Sequence, residues 1–483
     1  MALLFADSRE TSRADTRPTR PQLRTLRAAF HACLLASTLF GCVKYERRPL
    51  EHDAIENQLL HPDRAGLRIQ AKELNHPLLK PLEINERDGL SPSEAAVLAV
   101  LANPSIQAVR ARRGVAAAQL ILAGVLPDPQ LASGLDFPAG GSEAGTVTAF
   151  NTGLNWNLQS LITRSARVQA ARARAESVDL SVSWQEWQVA EGAKLNVYRI
   201  TLMQAQINEA QVAIRALQEN LDLVKKAVDI GEMTIVDLDA ARSSLRAIEL
   251  SLVDLQQRRA QEWVQLKQAL GLPQDDEVVL QSGIDPPKAN QLPTEAELIA
   301  ALAKSRLDLT ALRKGYDSQD ATFRAAVQAQ FPPVNIGLAQ ARDTGNVVTG
   351  GFGLSINLPF LNGNRAQASV EAATRRQLLV EYRARLFEAI SNIRVILTDL
   401  QYLRQKLIAQ QRALQTSRAL VTTYENALRL GQADALVYYN ARNNMISQQI
   451  ALYGFKLALA ERFVALEIAS GMSLSEADGG APN

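Results

Sequence analysis

Two stretches of this 483-residue chain repeat each other at a fixed offset, and that offset restricts the fold more than any local pattern does. One reads AVDIGEMTIVDLDAARSSL and turns at Gly231; the other reads ALRLGQADALVYYNARNNM and turns at Gly431. Each glycine closes one heptad-like stretch and opens another. Forty residues further on, each second stretch ends in a similar phrase, ALGLP at Gly271 and ASGMS at Gly471. Gly353-Leu354-Ser355-Ile356-Asn357-Leu358 repeats Gly153-Leu154-Asn155-Trp156-Asn157-Leu158 at the same spacing of 200 residues. An internal repeat of this kind sets the architecture before any single element is assigned.

Within the repeat the hydrophobic period is helical. Ile207, Ala210, Ile214, Leu217, Leu221, Val224 and Val228 step by 3 and 4, and Ile235, Leu238, Ala241, Leu245, Ile248, Leu252 and Leu255 continue the pattern past Gly231. This is an a/d seam. An earlier helix begins at Ser91-Pro92, with Ser91 as cap and Pro92 in the first turn. It is predicted to run unbroken to about Leu126, where Pro127 and Pro129 stop it. Gly, Thr, Asn and aromatic residues then predict a hairpin over about 130–158, closed by the turn-rich PAGGSEAG, and a second over about 334–360 across DTGN. The long helix from Thr163 to Gly231 spans on the order of 100 Å. Its counterpart runs from near Arg365 to Leu430. The expected boundaries are an irregular leader (42–90), a first repeat (91–271), a linker (272–293), a second repeat (294–471) and a disordered tail (472–483). The fold class is mainly α with two β-hairpins. In each repeat two shorter helices stack end to end beside one long helix, with the hairpin at one end and the glycine turn at the other.

Composition excludes several functions. With 52 basic and 50 acidic residues there is no large positive field for nucleic acid. The only histidines are His31, His52, His61 and His76, and the only cysteines Cys33 and Cys42, so neither repeat holds one. No Ser-His-Asp or Cys-His catalytic set and no His/Cys zinc site can be built there. A carboxylate-only enzyme remains open; the expectation is no enzyme, no cofactor and no metal. Residues 1–41 read as a secretory signal: six arginines precede an apolar run too short to span a bilayer as a helix.

The strands are the second clue. Each is long enough to cross an outer membrane when tilted. Four cannot close a barrel and lipid does not tolerate open edges, so two or more chains must cooperate. Trp156, Phe137, Phe150, Phe352 and Phe360 are candidates for an aromatic girdle, with Trp156 and Phe360 as its membrane belt. The other reading is a pair of soluble hairpins capping a structural periplasmic coiled coil without a pore.

The doubled order of helix, proline, hairpin, long helix, glycine tip and helix, together with GEMTIVDLDA after Ile230 and GLSINLPFLNGNRAQ from Gly353, resembles the TolC family of outer-membrane efflux channels, over nearly all of Ser91 to Gly471. The resemblance implies a homotrimer. Twelve strands would close one β-barrel in outer-membrane lipid and the helices would form an α-barrel tunnel. A periplasmic adaptor (membrane fusion) protein and an inner-membrane pump of RND or ABC type would be partners. It makes Leu39-Phe40-Gly41-Cys42 similar to a lipobox, with Cys42 as the lipidated residue, although Phe40 departs from the usual small residue there. The tips become the periplasmic aperture and adaptor contact: Gly231, Thr234, Asp237 and Asp239 in the first, Gly431, Asp434 and Asn440 in the second. Val437 and Asn440 stand where the best-known members place aspartates. For Asp237 the alternative is a solvated acid in the first turn of a helix. The implied function is a passive exit duct for small molecules. Type I protein secretion and heavy-metal efflux are the alternatives within the duct class, the latter because LPFLNGN resembles the heavy-metal branch.

Overall fold

A computed structural model of the chain describes residues 44–85, 87–141, 145–287, 292–358, 363–430, 432–433 and 435–474. Cys42, Phe360, Gly431 and Asp434 lie outside the described residues. The chain divides into two units at residue 57. The described part of the first has no regular secondary structure from residue 44 until it enters α1 (His52–Leu60). The second unit, residues 58–483, carries every later element.

Helix α2 (Arg64–Lys72) is a departure from the expected irregular leader. Asp63 caps it by accepting from the Gly66 amide at 3.0 Å. Leu67 and Ala71, four residues apart, set its apolar side into a cluster with Ile84, Leu90, Val197, Leu266 and Leu270. The Pro, His and charged residues around it hide this short period. The rest of the leader is a strap. His76 holds it: its Nδ1 accepts from the Leu78 and Leu79 amides, both at 3.1 Å, so Nε2 carries the proton and donates to the Ser183 carbonyl at 3.1 Å. Burial lowers the His76 pKa, which favours this neutral form.

The first repeat contains α3 (Pro92–Ala102), α4 (Pro104–Gly124), β1 (Gln130–Asp136), β2 (Ala149–Asn157), α5 (Gln159–Asp229) and α6 (Ile235–Ala269). The second contains α7 (Glu295–Ser305), α8 (Leu307–Gln328), β3 (Val334–Arg342), β4 (Val348–Ile356), α9 (Arg365–Arg429) and α10 (Ala435–Ser470). With 71 residues, α5 is about 105 Å long. Helices α3, α4, α6, α8 and α10 pack along it, and α7, α8 and α10 pack along α9. Ser91 and Glu94 form the capping box that opens α3. Thr294 and Glu297 form the equivalent box at α7.

The helix expected to run from Ser91 to Leu126 is broken in two. Pro104 has no amide to continue the ladder and forces the residue before it out of the helical region; Asn103 sits at ψ 118°. Arg306 makes the matching break in the second repeat at ψ 97°, without a proline. Both break residues do the same work. Asn103 Nδ2 donates to the Ala269 carbonyl at 2.9 Å, and Arg306 Nη1 donates to the Ala469 carbonyl at 3.0 Å. The two acceptors are 200 residues apart. Each break therefore clamps the end of the last helix of its own repeat.

This clamp explains the two terminal glycines. Gly271 and Gly471 have φ of +61° and +67°. A Cβ on Gly271 would lie 2.5 Å from the Ala102 carbonyl oxygen, and one on Gly471 2.6 Å from that of Ser305. Gly471→Ala is expected to cost more than about 1 kcal/mol, because φ is left-handed and the obstacle is backbone. A lowered thermal midpoint of the purified protein is the readout.

Candidate functional site

The two ends of the long helices carry the features that sequence reasoning singles out. At one end lies a sheet of order β1-β2-β3-β4, antiparallel throughout. Directly opposed residues share a face, so the register sorts the side chains. On one face the rows read Leu131–Leu154–Leu338–Phe352, then Trp156–Ile336–Leu354, and Leu135–Phe150–Arg342–Val348. A single polar row, Ser133–Thr152–Gln340–Gly350, interrupts them. The opposite face reads Ala132–Gly153–Ala339–Gly351, Gly134–Asn151–Ala341–Thr349 and Gln130–Asn155–Gly337–Gly353, with no large apolar side chain.

The apolar rows are bare in the single chain: Leu131, Leu338 and Phe352 are 64%, 63% and 82% exposed. A contiguous apolar surface of this kind marks a buried partner or lipid. At nine residues β3 runs about 30 Å, or about 23 Å across a layer when tilted by the ~40° of membrane barrels. Trp156 lies at the helix end of the apolar face, its Nε1 donating to the Pro127 carbonyl at 2.8 Å. Arg342 lies at the loop end, its guanidinium 5.4 Å from the centre of the Phe150 ring. Neither β1 nor β4 has a strand partner on its outer edge among the described residues.

At the other end are the tips. After α5 the Glu232 and Met233 amides donate back to the Ala227 carbonyl, at 2.9 and 3.2 Å. Gln432 repeats the bond to Ala427 at 2.8 Å in the second tip. Val224, Leu238 and Ala241 hold α5 to α6 below the first turn. Thr234 caps α6. Asp237 Oδ2 accepts from the Thr234 amide at 2.9 Å and from its hydroxyl at 2.7 Å, while Thr234 Oγ1 accepts from the Asp237 amide. The Thr234 hydroxyl and then its amide hold the Asp237 carboxyl below the usual aspartate range, so it stays ionised into mild acid. Asp239 is exposed and meets Arg242 at 3.3 Å. In the second tip the buried residue is Tyr439, where the first has Leu238. Beside it Tyr438 is half-buried and Asn440 exposed, as Asp237 is half-buried and Asp239 exposed in the first tip.

Sequence reasoning misses a third cluster, at mid-height where α5 meets α10. Lys194 Nζ donates to Glu467 Oε2 at 2.6 Å and to Glu191 at 3.1 and 3.2 Å. All three side chains are at most 5% exposed. Burial, against the pull of Lys194, pushes the Glu191 carboxyl up to about 8. Burial also acts to lower the Lys194 ammonium, but the two carboxylates outweigh it and hold it above the usual lysine range. A signal is present: Glu191 and Lys194 are charges i, i+3 inside the otherwise apolar face of a long helix, and such charges need partners. A third buried acid, Glu186, takes Arg110 at 2.5 Å and Arg113 at 3.3 Å and so ties α4 to α5.

Comparison with known proteins matches this geometry. The family described as outer membrane efflux protein matches residues 96–272 and 298–472, most of the chain and one segment per repeat. A probable efflux pump outer membrane protein, TtgC of Pseudomonas putida, is 22% identical over 265 residues, 53% of this chain and 54% of the relative. The cation efflux system protein CusC of Escherichia coli is 26% identical over 251 residues, 49% of this chain and 53% of the relative. The chain thus spans about half the length of these curated relatives. Among solved structures, the outer-membrane channel OprN superposes with a TM-score of 0.67 at 17% identity, covering 89% of this chain and 99% of that one. CusC gives 0.66 at 18%, covering 82% and 97%. The doubled helical repeat, its four-stranded sheet and these matches agree: the chain belongs to the outer membrane efflux protein family.

Proposed function

We propose that the chain is the outer-membrane channel component of a tripartite efflux system, a passive duct for small molecules. Three copies would pool twelve strands into one closed β-barrel, and their helices would continue it as a tunnel through the periplasm. A periplasmic adaptor and an inner-membrane pump of RND or ABC type would deliver the cargo, Cys42 would carry the lipid anchor, and Trp156 and Phe360 would sit at the membrane boundary. The observation that carries this reading is the two-faced sheet. Its apolar rows suit lipid, its Gly, Ala and Asn rows suit a wide aqueous bore, and its two edges, unpaired among the described residues, need further strands. A soluble cap gives no reason for exposed Leu338 and Phe352 to alternate with Ala339 and Gly351. Purified protein should run as heat-labile trimers and conduct in planar bilayers. A soluble protein without conductance would overturn the proposal.

At the periplasmic mouth we assign the aperture to Gly231, Thr234, Asp237 and Asp239 with Gly431, Asp434 and Asn440. Three copies of Asp237 would form a ring of carboxylates that favours cations, and the cap keeps that ring charged. Asp237 has two jobs in this account, and two variants separate them. Asp237→Asn is expected to lower the cation-over-anion permeability ratio in bilayers. Thr234→Ala loosens the cap but keeps the charge, and should leave the ratio near wild type.

A further inference from the structure

The cluster of Lys194, Glu191 and Glu467 lies on the seam between the two repeats and has no part in the duct. If all three were ionised, the seam would hold one negative charge too many, and uncompensated charge is costly out of water. The geometry also says which acid is neutral. Glu467 accepts Lys194 at 2.6 Å through Oε2 and the Leu474 amide at 2.7 Å through Oε1. Glu191 receives the longer Lys194 contacts named above, and the charge of the neighbouring Glu467 carboxylate adds to the cost of ionising it. We propose that Glu191 holds a proton at neutral pH, and that losing it in alkali loosens the α5–α10 seam, making this junction a proton-operated fastener between the repeats.

The surrounding groups allow this. Lys194 and Tyr198 face the cluster from α5 and Glu467 from α10. From the leader strap, Lys80 lines the cavity of about 30 Å³ that Glu191 also borders, with Ser93 of α3 and Ser473 on its other walls. Burial pushes the Tyr198 phenol up to about 12, so it stays neutral and adds no charge of its own. Leu78, Leu79 and Leu82 of the strap that His76 pins line the same cavity. The direction of the effect follows from linkage. A carboxyl that binds its proton more tightly in the folded chain stabilises fully below the ordinary carboxylate range. That stability drains as pH rises and is gone once pH has passed the folded value near 8.

The test compares full-length wild type with Glu191→Gln, which mimics the protonated acid, in thermal melts from pH 5 to pH 9. The wild-type midpoint should fall as pH rises across this range, while the variant should lose most of that slope. A variant that keeps the full wild-type slope overturns the proposal. Should Glu191→Gln fail to fold, infrared spectra of the wild type decide. A protonated-carboxyl band present at pH 7 in the folded protein and bleached at pH 9 supports the proton; its absence at pH 7 refutes it.

Discussion

Lys194→Met is expected to destabilise the chain by about 3–5 kcal/mol, because it leaves Glu191 and Glu467 facing each other out of water without a cation. Methionine keeps the unbranched stem of the side chain and drops only the ammonium, so little of this loss is packing. Adding Glu467→Gln to the same chain removes the remaining fixed negative charge and should recover much of the loss. Unfolding followed by circular dichroism on the single and double variants measures both. If the double variant is no better than Lys194→Met, the loss was not electrostatic.

The second large effect is at the other end of the molecule. Leu338 lies in the middle of the apolar rows of the sheet, and Ala339 beside it lies on the small-residue face. Leu338→Arg should cost about 2–4 kcal/mol for arginine at the depth of the bilayer midplane, and should strip the protein from the outer-membrane fraction. Ala339→Arg carries the same charge one residue away, yet should assemble normally and shift conductance toward anions. Equal loss of assembly in both would mean that neither face meets water.

How far the sequence discloses this molecule depends on the range of each feature. The repeat, the glycine turns and the long seams are periodic over tens of residues; α9 begins at Arg365 and β3 at Val334. The breaks at Asn103 and Arg306 depend on single residues. Pro104 is a readable signal for the first; the second has none, because Arg306 leaves the helix to clamp a carbonyl 163 residues away. Helix α2 escapes because nine residues give only about two and a half turns of period. The candidate site is legible as residue types. Its faces are not, since only the strand register assigns Leu338 and Ala339 to opposite sides. Asp237 reads in the sequence as an aperture acid or as a first-turn acid, and its bonds to Thr234 give it the second property whatever the first turns out to be. The Lys194 cluster joins residues 273 positions apart, which no local pattern can reveal.

In the proposed duct this sheet is part of a membrane barrel wall with water on one side and lipid on the other. Single cysteines placed along β3, at 335 to 341, test it most directly in outer membranes treated with a membrane-impermeant thiol reagent, with the unsubstituted chain as background. Alternation is expected: label at Asn335, Gly337, Ala339 and Ala341, and none at Ile336 or Leu338. Uniform labelling along the strand, as from a hairpin wetted on both faces, would contradict it.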